Sequence, residues 1–164
     1  MRFGRIFYFV VLFVCIFETA RLWMVAPAQM AAHFNIQGNP DRFVVRTQFF
    51  WYEIQTMSIL ILVSVAVQVL LLVVPARLIN IPNREYWLVP KRQGDAVGRI
   101  SSFVAMLFSV ILLTMQAVFE ISVFANLQTP IFFNAQLMIP VLIIAFLLIG
   151  LMSFQLTISF RIPE

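Results

Sequence analysis

Few residues in this chain could do chemistry, and their placement is uneven. Glu18, Glu53 and Glu120 interrupt long apolar runs, and the polar stretch "AHFNIQGNPDRF" carries His33 and Asp41. A carboxylate inside an apolar helix is costly and turns toward a bundle interior or water, where it can hold a proton or a cation. Arg21 follows Glu18 by three residues and shares its helix face. Gln116 stands one turn before Glu120. Glu18, Arg21, Glu53, Gln116 and Glu120 therefore form a candidate polar cluster at one membrane face. Two readings stay open. Arg21, Arg42 and Arg46 could neutralise the acids as structural ion pairs, or the acids could form a cation or proton site. His33 is the single histidine, with no second His or Cys near it, so no metal is assigned. His33 and Asp41 are the one pair that could offer metal ligands. No nucleophile–base pair, phosphate loop or paired-cysteine motif is present, so no catalytic residue and no cofactor is assigned.

These residues are set in a chain that is 62% hydrophobic and 11% charged, with a mean hydropathy of +0.98. A soluble domain cannot hide so much apolar surface, so lipid must be part of the solvent. A helical span needs about 20 mostly apolar residues. Four stretches qualify: about 4–24, 49–74, 100–124 and 133–160. In hydrocarbon they must be helices, because every backbone group needs an internal partner. The expected fold is an all-α, polytopic membrane protein: one domain over 1–164, a bundle of four transmembrane helices with an ordered outer loop over 25–48 and a cytoplasmic loop over 75–99. Pro140 is expected to kink or restart the last helix. Arg2 and Arg5 before an apolar run, and Ala26-Pro27-Ala28 after it, imitate a signal peptide. Glu18 and Arg21 interrupt that run and the cleavage-like site lies far past it, so a retained helix is expected.

Orientation follows from Lys and Arg near the spans. Arg2, Arg5, Arg77, Arg84, Lys91, Arg92, Arg99 and Arg161 fall on one side, eight against three, with Arg21, Arg42 and Arg46 on the other. Both termini are expected in the cytoplasm, and the His33 segment outside. The basic residues are scattered and the net charge of +4 is small, which suits membrane lipids and not nucleic acid.

The inner loop reads "IPNREYWLVPKRQGDAVGR". Tyr86 and Trp87 suit the headgroup layer, with Lys91 and Arg92 following into the phosphates. Together with Asn83 they make a candidate interfacial anchor, or a docking loop. Gly94 and Gly98 match G-x-x-x-G but fall in this polar loop. Packing stripes are expected from Tyr8, Val11, Cys15, Glu18 and Leu22, from Ser102, Ser109 and Gln116, and from Gly150, Ser153 and Thr157.

The segment "APAQMAAHFNIQGNPDRF" resembles the hallmark of the bacterial DUF1648 family, which is also found in SdpI-type immunity proteins. The matching positions are Pro27, His33, Phe34, Asn35, Gly38, Pro40 and Asp41. Ala31 stands where the family usually has proline. With its flanking helices and the inner loop, the resemblance spans about residues 1–95. It implies a non-enzymatic protein of the bacterial inner membrane, acting in protein interaction, envelope signalling or toxin immunity, with membrane-protein partners or copies of itself. An accessory subunit of a larger membrane complex is the alternative. A cation- or proton-handling transporter or membrane enzyme using the outer carboxylates is the third reading. Turn chemistry agrees with an ordered loop: Gly38 takes positive φ freely, and Asn39 before Pro40 avoids helix. The loop is expected to fold back onto the outer bundle end, with His33 held by a carboxylate or a carbonyl.

Overall fold

A computed structural model describes residues 3–162. Arg2, counted among the inner cations, lies outside them. Four helices are long and apolar enough to cross a membrane. They are α1 (Phe3–Val25), α2 (Arg46–Val73), α4 (Pro90–Leu127) and α5 (Met138–Ser159), with a short α3 (Arg84–Trp87) before α4. Two strands, β1 (Gln29–Phe34) and β2 (Pro40–Val45), join α1 to α2 as an antiparallel hairpin.

Helix α4 is the hub. Helices α1, α2 and α5 all pack on it, whereas α1 and α2 barely touch each other. Its buried stripe includes Ala105, Ser109, Leu112, Gln116 and Phe119. Small residues let membrane helices approach closely and bond across. Ser101, rather than the expected Ser102, takes the inward place. It accepts from Arg5 at 3.2 Å and donates to Gln68 Oε1 at 2.5 Å. On α1 the stripe of Val11, Cys15 and Leu22 is buried as its spacing requires, and Tyr8 bonds the Ser64 hydroxyl at 2.5 Å.

Several expectations are corrected. The chain is not purely helical: the ordered loop expected over 25–48 is a β-hairpin. Phe43, Val44 and Val45 favour extended backbone, and Pro40 opens its strand, where a missing N–H costs least. The loop expected over 75–99 is largely helical, because Pro90 begins α4 instead of breaking a helix. At the first helical position the missing N–H has no partner to lose. Gly94 and Gly98 therefore lie on a helix, and a side chain at Gly94 would meet nothing within 4 Å. Pro140 falls in the first turn of α5, which begins at Met138 directly after a 3-10 turn over Ala135–Leu137, and there its missing N–H costs no helical bond. Gly150, Ser153 and Thr157 face outward, away from α4. The two hydroxyls return to the backbone of α5 itself, at Ile149 and Ser153.

Candidate functional site

The hairpin is built from its turn outward. Asn35 Oδ1 accepts the backbone N–H groups of Gln37 and Asn39, both at 3.0 Å. Its own N–H donates to the Asn39 carbonyl, and its carbonyl accepts from Gly38, both at 2.9 Å. One short side chain thus closes the turn. Gly38 has φ +85°, and an added Cβ would run into the Phe133 carbonyl and the Phe132 ring. The glycine is needed twice, for its backbone angle and for this close approach.

Two contacts tie the hairpin to the end of α4 and to the connection between α4 and α5. Phe133 N–H donates to the Gly38 carbonyl at 2.9 Å, with the Phe34 and Phe133 rings 5.1 Å apart. Asn126, in the last turn of α4, accepts from Ala31 N–H at 2.5 Å and donates to the Ala31 carbonyl at 3.1 Å. Its amide completes the free edge of β1 as a third strand would. Met30, Ala31 and Val44 are buried beneath the hairpin. Pro27 lies half-buried before β1. Arg46 holds the hairpin's base, donating to the Ala26 carbonyl at 3.0 Å with its guanidinium 4.6 Å above the Trp23 ring.

The other face of the hairpin is free. His33 Nδ1 and Asp41 Oδ1 stand 2.6 Å apart, and both side chains are exposed. The expected carboxylate partner of His33 is present, but at the surface. Ile36 at the tip is 97% exposed, and Phe43 and Arg42 are exposed on β2. Among the described residues no third strand joins β2.

The polar cluster divides in two. Arg21 bonds Glu18 at 2.5 Å and Glu120 at 2.6 Å, bridging α1 to α4. Glu53 and Gln116 stand apart from that network and are 7% and 4% exposed. Gln116 Oε1 accepts from Thr19 at 3.4 Å, while Gln116 Nε2 and Glu53 Oε1 are buried with no partner among the described residues. Arg42 and Arg46 pair with none of these acids among the described residues. No group of three His, Cys, Asp or Glu gathers among those residues as a metal site would need.

The segment from Asn83 to Arg92 is held against the end of α5. Trp87 is buried, and its indole N–H donates to the Phe160 carbonyl at 2.9 Å. Asn83 donates to the same carbonyl at 2.9 Å. The last carbonyls of α5 lack helical partners, and these donors satisfy one of them. Arg99 lies 4.6 Å over the Trp87 ring and bonds the Ser159 carbonyl, while Arg92 lies 3.9 Å over Tyr86. Lys91 is exposed on the first turn of α4. The segment caps α5 from within the protein.

Asn126, Phe133 and Ile36 have no motif to mark them; the one signal in the sequence is an asparagine, Asn126, at the end of an apolar helix.

The family model DUF1648, a domain of unknown function, matches residues 9–52. The matched segment takes in most of α1, the whole hairpin and the start of α2. No curated protein and no solved structure matches the chain.

Proposed function

From the DUF1648 match over residues 9–52 as premise, we propose that this membrane protein is a non-enzymatic module whose outer hairpin is a contact surface for another protein. The observation that carries the reading is Ile36. It is almost fully exposed at the tip of a turn that is otherwise bonded at every step. A large apolar side chain held out by a rigid turn is an anchor in search of a pocket. The open edge of β2 offers backbone hydrogen bonds to an added strand, and His33, Asp41 and Arg42 supply a polar rim. The reading places the chain in a bacterial inner membrane, with four spans, both termini cytoplasmic and the hairpin outside. Envelope signalling and toxin immunity are two settings for such a contact.

The outward stripe of Gly150, Ser153 and Thr157 favours a second reading, an accessory subunit docked through α5. Purification in mild detergent tests both. Ile36→Asp should remove a stoichiometric partner while leaving expression and melting temperature unchanged. Loss of the partner with Ser153→Trp and retention with Ile36→Asp would favour the accessory subunit.

A further inference from the structure

Because α1 and α2 diverge while both lean on α4, a cleft of about 600 Å³ opens between them. That volume lies within the roughly 300–1,000 Å³ of small-molecule sites. Along α2 it is lined from Thr47 to Ile61, a length of about 20 Å at helical rise. The walls are apolar, with Leu12, Ile16 and Met57 among them, and the exposed Ile16 and Ile54 continue it into the apolar outer surface of the helices. Thr19, Thr47 and Ser58 add hydroxyls to this lining, and Glu53 adds its one carboxyl. Glu53 is more than nine-tenths buried, and its Oε1 has no partner among the described residues. Two cations at the same end of α1 and α2 are already engaged: Arg21 with Glu18 and Glu120, Arg46 with the Trp23 ring and the Ala26 carbonyl.

A buried carboxylate is tolerated when a cation or hydrogen-bond donor accompanies it. Among the described residues no cation lines the cleft, and none of its hydroxyls reaches Glu53 Oε1, but it opens on the side where an apolar chain can enter from the bilayer. We propose that this cleft binds a single-chain amphiphile with an amine head, its ammonium on Glu53 and its chain along Leu12, Ile16 and Met57. The head would lie about 10 Å below the start of α2. An ammonium both neutralises the carboxylate and donates a charge-assisted hydrogen bond, which a hydroxyl head cannot match. The site is separate from the hairpin and independent of its role.

Trp23 and Trp51 line the cleft and report on its occupant. The protein is placed in phosphatidylcholine nanodiscs and titrated with a bromine-tagged dodecylamine. Saturable quenching is expected, at a concentration at least about tenfold below that needed with the equally long alcohol or carboxylic acid, the effect of one hydrogen bond to a charged group. Glu53→Gln, which keeps the shape, should erase the amine's advantage. Ser58→Phe puts a ring into the cleft while leaving the Glu53 carboxyl in place, and should abolish saturable quenching by all three probes. Equal quenching by the three probes in the wild-type protein, or an amine preference that survives Glu53→Gln, would overturn the proposal. The cleft would then be a surface wetted by ordinary lipid chains.

Discussion

Asn126 takes both backbone groups of Ala31 with one side-chain amide, at 2.5 and 3.1 Å, across 95 positions of sequence. Alanine keeps the backbone N–H that a proline at this position would lack. The alanine and the asparagine therefore act together: the backbone edge that alanine keeps is the edge that Asn126 fills. Asn126→Ala leaves a buried N–H and a buried carbonyl without partners. Stability should fall by about 1–3 kcal/mol, read as a lower unfolding midpoint, and protease should cut the hairpin sooner. Ala31→Pro should be harmful in this chain, because Asn126 would lose its donor.

Gly38 supports the other attachment. Gly38→Ala forces a side chain into the left-handed region, at about 1–2 kcal/mol, and against the Phe133 carbonyl. The hairpin should detach from the α4–α5 connection, with faster amide exchange at Phe133 as the direct readout.

His33 behaves differently. Its bond to Asp41 is exposed, and surface pairs contribute about 0–1 kcal/mol. His33→Ala should leave the unfolding midpoint nearly unchanged while weakening partner recovery. A large stability loss would mean that the histidine is structural.

Trp87→Phe keeps the ring packing against Phe160 but removes one of two donors to its carbonyl. A drop of about 1 kcal/mol is expected. The indole emission of Trp87, isolated in a background lacking Trp23 and Trp51, should resist quenching from both the aqueous phase and shallow lipid labels.

How far the sequence could be read depends on the range of the interactions involved. The four long apolar helices follow from composition and length, and the bond between Glu18 and Arg21 follows from their spacing within one helix. The turn at Asn35–Gly38 was legible because its bonds are local. The strands were harder: "QMAAHF" carries no alternation, and it is extended because β2 and Asn126 pair with it. The acceptor of the Trp87 indole, the Phe160 carbonyl, lies 73 positions away and has no local signal. Pro90 and Pro140 resemble helix breaks, since position within a helix decides their effect. The splitting of the acidic cluster was invisible, because Arg21 can satisfy two carboxylates and that leaves Glu53 alone.

Orientation is open to a labelling test. Cysteines placed at Gln37 on the hairpin and at Gln93 on the first turn of α4 should react with a membrane-impermeant reagent from opposite sides of intact membranes. Reaction of both from outside would reject the four-span arrangement with both termini in the cytoplasm.

The central claim is that the hairpin tip touches a protein. A photo-crosslinking phenylalanine at position 36 tests it most directly in intact cells, with the same group at position 153 on α5 as the comparison. One discrete protein adduct is expected from position 36, and it should be lost when the hairpin is detached by Gly38→Ala. Adducts to lipid alone at position 36, or a protein adduct only from position 153, would contradict it.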